Sequence, residues 1–84
     1  MLGTKYIANS ADLKAASVLV PVGKVIVTSD DVNAVCEFMI GGTNGTTVAM
    51  AAVPTANTTI VVDLVGTLAD YVNLTNAVVN VELL

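Results

Sequence analysis

Histidine, arginine and tryptophan are absent from the 84 residues, and lysine occurs only as Lys5, Lys14 and Lys24. Each absence closes off chemistry. Without histidine, neither a Ser-His-Asp nor a Cys-His relay can form, so no catalytic residues are expected. Three cations against seven carboxylates give a net charge of −4. That balance leaves too little positive charge to neutralise phosphates, and no nucleic-acid partner is expected. The lone Cys36 forms no internal disulfide and no cysteine-based metal centre. Its apolar neighbours mark it as a buried, unreactive thiol. Aromatic residues make up 4%. Tyr6, Phe38 and Tyr71 are too few and too scattered for a base- or sugar-stacking platform, and they read as core anchors.

What is present is mostly apolar. The chain is 55% hydrophobic and 12% charged. Its length makes residues 1–84 a single domain, and a domain of this size hides only about 60% of the surface its unfolded chain exposes. The remainder has few charges to coat it, so a solitary monomer would carry apolar patches beyond the usual few hundred Å². The excess must face a membrane or another protein surface. A spanning helix needs about 20 apolar residues. The charge-free interval between Glu37 and Asp63 is broken by IGGTNGTT and VPTANTT, and AASVLVPVGKVIV is cut by Pro21, Gly23 and Lys24. The opening MLGTKYIANSADLK has no apolar run of signal-peptide type. No membrane partner is expected; self-association is.

Valine and threonine dominate, and β-branched side chains suit pleated surfaces. Recurrent turn signals divide the chain into short strands: TKYIAN, SVLVPVG, KVIVTS, TTVAMAAV, TIVVDLV and NAVVNVELL. Pro21 demotes its strand to an edge or a bulge. In the last strand Ala77, Val79, Val81 and Leu83 line one face, with Asn80 and Glu82 on the other. Two helical turns are expected, one over Ser10–Ser17 capped by Ser10 and one after Thr67 with Leu68, Tyr71 and Val72 inward. Ser29–Gly42 fits two patterns. As a strand it sets Val32, Ala34, Cys36, Phe38 and Ile40 on one face; as a helix it spaces Val32, Val35, Cys36 and Met39 behind a Ser29 cap. The strand is preferred because it runs into a hairpin signal. The expected fold class is mainly β: a small β-barrel or β-sandwich of about six or seven short strands with one or two helical turns.

IGGTNGTT (40–47) has the glycine content of a phosphate-binding loop but lacks its pattern. No glycine-lysine pair follows at the spacing of G-x-x-x-x-G-K-[ST], and G-x-G-x-x-G fails as well. What remains is Asn44-Gly45 between two apolar runs, the signal of a two-residue hairpin turn. Asp30-Asp31 is the tightest carboxylate cluster and reads as a solvated turn. The pattern D-x-[DN]-x-[DN]-G of a calcium loop is missing, and neither a metal nor a cofactor is expected. Three N-x-[ST] sequons, at Asn44, Asn57 and Asn73, reflect a chain rich in Asn and Thr. The lysines read as solvating charges that discourage edge pairing.

A compact acidic β domain rich in Val, Thr, Asn, Gly and Ala, with stretches such as GTTVAMAAVPTANTTIVVDLVG and DYVNLTNAVVNVEL, resembles the small accessory proteins of bacteriophage virions. These are capsid decoration proteins and head-fibre or head-binding modules. The resemblance implies a non-enzymatic homotrimer or homodimer on the outer virion capsid surface, bound to a major capsid protein and assembled in the host cytoplasm. It also implies that residues 1–10 are a docking segment, with Leu2, Tyr6 and Ile7 as its apolar contacts. The alternative is a small β-sandwich binding module for carbohydrate or peptide.

Overall fold

The structure is a computed structural model, and it describes residues 3–29, 34–53, 55 and 57–84. Eight strands appear: β1 (Gly3–Ile7), β2 (Ala11–Asp12), β3 (Val20–Ser29), β4 (Ala34–Ile40), β5 (Thr46–Val53), β6 (Thr59–Ala69), β7 (Tyr71–Thr75) and β8 (Ala77–Leu83). They form two antiparallel four-stranded sheets, ordered β1-β8-β3-β6 and β2-β7-β4-β5. The two sheets do not close into a barrel, so of the two expected architectures the sandwich holds.

The pairing follows one rule. Each strand pairs with the strand equally far from the other end of the series: β1 with β8, β2 with β7, β3 with β6, and β4 with β5. Two further pairings, β3–β8 and β4–β7, join these ribbons into sheets. A long antiparallel hairpin folded over on itself gives this order, which is that of the eight-stranded jelly roll. Sheet changes are therefore abrupt. Only Asp70 separates β6 from β7, and only Asn76, in the left-handed region at φ 54°, separates β7 from β8. Asparagine is among the few non-glycine residues that adopt this conformation readily.

Alternation builds the core. Along β8 the burial pattern puts Ala77, Val79, Val81 and Leu83 inside, as the sequence predicts. In β3 the inward set shifts parity, from Val20 and Val22 to Val25 and Val27. The cause is a bulge around Gly23, beside Pro21, so SVLVPVG and KVIVTS merge from Val20 onward into one strand. Opposite them lie Ala34, Cys36, Phe38, Val53 and Val72 of the second sheet. The strand reading of residues 34–40 is the one found, with one change. β5 carries an extra residue, Val48, opposite the Phe38–Met39 step, and at this end of β4 Met39 is buried and Ile40 39% exposed. Of the three expected aromatic anchors only Phe38 is fully buried; Tyr6 is 61% exposed and Tyr71 half-buried.

Neither expected helical turn forms. The Ser10 hydroxyl accepts from the Leu74 amide at 2.8 Å and donates to Asn73 Oδ1 at 3.1 Å, so it serves β7 instead of capping a helix. After Thr67 the chain stays extended to Ala69 and then turns on Asp70. There the Asp70 amide donates to the Met39 carbonyl and its own carbonyl accepts from the Leu13 amide. Long-range backbone pairing outweighs the local helical spacing of Leu68, Tyr71 and Val72. Among the described residues the one helical element is a 3₁₀ turn at Gly42–Asn44.

Candidate functional site

The residues singled out from the sequence fall in different places. Leu2, and the Asp30-Asp31 pair together with Val32 and Asn33, lie outside the described residues. Tyr6 projects from β1, whereas Ile7 is 4% exposed and belongs to the core. The stretch Gly3–Ile7 is strand throughout, paired with Val79–Leu83. Asn44 and Gly45 lie in the β4–β5 connection, but not as a two-residue turn. Ile40 pairs with Thr46, so the connection is residues 41–45. Its left-handed residues are Gly41 at φ 102° and Gly42 at φ 72°, while Gly45 sits at φ −85°. Gly45 is needed for space: a Cβ there would run into the Ile40 carbonyl.

The glycine-rich loop closes on the chain's own anion. The Asp70 carboxylate, 3% exposed, accepts from the Gly41 amide at 2.9 Å and from the Gly42 amide at 3.0 Å. Successive amides in such a turn form the kind of concavity that binds anions. Here an internal carboxylate occupies it. Other carboxylates are committed in the same way. Glu82 accepts from the Lys24 amide at the β3 bulge, and Asp63 accepts from the Val65 amide. Glu37 holds Thr47 Oγ1 at 3.0 Å and Asn73 Nδ2 at 3.3 Å. Lys5 Nζ donates to the Leu13 carbonyl at 3.0 Å and reaches the Asp12 carbonyl at 3.4 Å, so this lysine ties β1 to the segment after β2.

Among the described residues these carboxylates are engaged with amides and neutral side chains. Burial pushes the Cys36 thiol up to about 12, with the neighbouring Glu37 charge adding to the shift. A thiol held neutral in this way is no nucleophile at physiological pH. Among the described residues no group of three or more His, Cys, Asp or Glu side chains could hold a metal ion. No described helix is long and apolar enough to cross a membrane. A cleft of about 330 Å³ lies beside β1, lined by Gly3, Thr4, Lys5, Leu13, Lys14 and Leu83. The Lys5 ammonium at its wall is already bound to carbonyls.

The surfaces are more informative than the cleft. On the outer face of the first sheet, Tyr6 stands opposite Asn80, Asn80 opposite Ile26, and Ile26 opposite Val61, a continuous uncharged row across all four strands. Tyr6 is 61%, Ile26 40% and Val61 64% exposed. On the second sheet, Ser10, Asn73, Glu37 and Thr47 make a hydrogen-bonded polar strip. Beyond that strip, toward the free edge of β5, lie exposed Met50 and Val48.

No protein-family model, no curated protein and no solved structure matches the chain. The sequence signalled the loop but not its partner. Asp70 lies 28 residues from Gly42, within a stretch whose spacing imitates a helix, and only the strand order brings the two together.

Proposed function

We propose that this chain is a non-enzymatic structural subunit that self-associates and decorates or cements a phage capsid on the virion surface. The observation that carries the reading is an exposed, uncharged apolar surface on a jelly-roll strand order. The Tyr6–Asn80–Ile26–Val61 row sets three exposed apolar side chains and an asparagine across one sheet face, uncharged ground suited to packing against a second surface. Viral capsid domains and lectins both use this strand order. The order by itself assigns no activity, so the choice rests on surface chemistry. Tyr6 supplies an outward aromatic at the place where the docking segment is proposed, with Ile7 anchoring the same strand in the core. Repeated weak contacts, multiplied by the oligomer, would hold such a subunit on a shell.

The test has two parts. Light scattering on the purified chain should give an integral multiple of 8.5 kDa at micromolar concentration. Incubation with undecorated phage heads should give saturable binding at fixed stoichiometry. A monomer at that concentration overturns self-association, and an oligomer that ignores capsids overturns the virion role. A second reading, carbohydrate recognition, is favoured by the Ser10–Asn73–Glu37–Thr47 strip, whose amide and carboxylate groups suit sugar hydroxyls. A reproducible hit on a glycan array, abolished by Asn73→Ala, would select it.

A further inference from the structure

We infer that β5 is the interface strand: two copies of the chain pair their β5 edges antiparallel about a two-fold axis, extending the second sheet across both subunits. The inference rests on the self-association proposed above and adds which element carries it.

Among the described residues four strands lie at sheet edges, β1 and β6 in one sheet and β2 and β5 in the other. Natural sheets guard such edges with brevity, charge or bulges. β2 is two residues long. β1 is five residues long with Lys5 at its centre. β6 is long but kinked: Leu64, Val65 and Gly66 stand against Gly23 alone, and Asp63 sits at the kink. β5 has neither brevity nor charge, and its one bulge leaves most of its length regular. It spans eight residues, TTVAMAAV, without charge, proline or glycine. Its irregularity, the extra residue Val48 opposite the Phe38–Met39 step, is near the loop end, and Ala49–Val53 pair with β4 in unbroken register. The described backbone hydrogen bonds of β5 run to β4, leaving its outer row of N–H and C=O groups for another strand.

Charge selects a second copy as that strand. A two-fold antiparallel contact sets residue i against residue j of the copy, so a charge near the middle of the strand closely approaches its own copy, and like charges directly opposite are destabilising. Two-fold pairing of β1 would set Lys5 against Lys5, and pairing of β6 would bring its Asp63 residues together. β5 alone among these long edges carries nothing to repel its copy, in a chain of net charge −4. The nearest charge is Glu37, one strand inward, opposite Met50. Across a β5–β5 pair the two Glu37 positions are three strand spacings apart, roughly 14 Å. That exceeds the screening length of about 8 Å at physiological ionic strength. Apolar side chains flank the edge: Met50 is 61% and Val48 43% exposed. Of the two expected symmetries, this contact makes the dimer, or an even multiple of it.

The experiment compares native mass for the wild-type chain, Val48→Lys/Met50→Lys, and Tyr6→Lys/Val61→Lys on the other sheet. The inference expects an even-numbered wild-type oligomer whose mass falls by half or more in the β5 variant at the same concentration. A wild-type oligomer that keeps its mass in the β5 variant and loses it in the Tyr6/Val61 variant overturns the β5 interface and leaves self-association standing. A monomeric wild type overturns both. Amide hydrogen exchange supplies a readout that needs no variant. Protection of Ala49–Val53 should rise at least tenfold between dilute and concentrated wild-type protein, while the β1 edge stays unchanged. No rise at β5 in a concentration range where the mass increases sinks the inference.

Discussion

Asp70→Ala should loosen the β4–β5 loop and lower the stability of the whole domain. The carboxylate is 3% exposed and accepts two backbone bonds, from Gly41 at 2.9 Å and Gly42 at 3.0 Å. A hydrogen bond to a charged group contributes about 1.5–3 kcal/mol, and a donor left buried without a partner costs about 1–3 kcal/mol. Gly41 is exposed and Gly42 half-buried, so water replaces part of what is lost. The expected net cost is therefore about 2–4 kcal/mol. A domain of 84 residues has about 4–13 kcal/mol in total, so the variant loses a large fraction of its margin. Urea unfolding at fixed protein concentration measures the difference, with the concentration held because assembly would stabilise the folded state. Asp70→Asn keeps one acceptor oxygen, turns the other into a donor facing an amide, and should fall between wild type and alanine. Hydrogen exchange gives the local signature: the Gly41 and Gly42 amides should lose protection in Asp70→Ala before β3 and β8 do. Stability of Asp70→Ala within about 0.5 kcal/mol of wild type, the range of an ordinary surface change, would refute the clamp.

Three further outcomes follow from the geometry. Phe38→Ala removes the one fully buried aromatic and should cost about 3–5 kcal/mol in the same urea assay, enough to leave a marginal domain partly unfolded. Gly45→Ala should cost about 1–3 kcal/mol because its Cβ meets the Ile40 carbonyl, whereas Asn44→Ala should stay within about 0.5 kcal/mol. A two-residue turn with Asn44 left-handed would make both changes costly. Cys36 gives stability an alkaline limit. Its thiol ionises near 9.0 in the unfolded chain and near 12 when folded, so above pH 9 the unfolded state sheds a proton that the folded state keeps. Stability should be about 1.4 kcal/mol lower at pH 10 than at pH 8 from this group. Cys36→Ala should lack that component of the slope in paired urea titrations.

Strands written in alternation were legible. β8 reads off the sequence residue by residue, and β5 coincides with TTVAMAAV. Positions where alternation slips were not. The bulges at Gly23 and at Val48, opposite the Phe38–Met39 step, are set by cross-strand register, which no local window contains; beside the second, Met39 is buried and Ile40 exposed. The two expected helical turns failed for a related reason. Ser10 is a good cap in isolation, and Asp70 lies within the second expected turn, but each serves a backbone group far away in sequence, at Leu74 for Ser10 and at Gly41 and Gly42 for Asp70. Glycine content likewise marked the 41–45 loop correctly while hiding that Gly41 and Gly42 serve conformation and Gly45 serves close approach.

Scarcity of charge looks different once the partners are known. Glu82 holds an amide at the β3 bulge, Asp63 an amide at the β6 kink, and Asp70 two amides in the β4–β5 loop. These are the places where the ladder is broken and backbone donors lack strand partners. A carboxylate satisfies such a donor more strongly than a neutral acceptor does. Three of the seven carboxylates thus serve irregularities, and β5 is left to Val, Thr, Ala and Met. An uncharged edge such as β5 is the direct consequence. A regular strand needs no carboxylate to hold its shape, and a strand without one is free to meet its own copy. The same allocation bears on catalysis, since a carboxylate already accepting backbone amides is poorly placed to take a substrate proton. A variant that moves a charge from a bulge to β5 should therefore weaken the fold and, with it, the self-association proposed above.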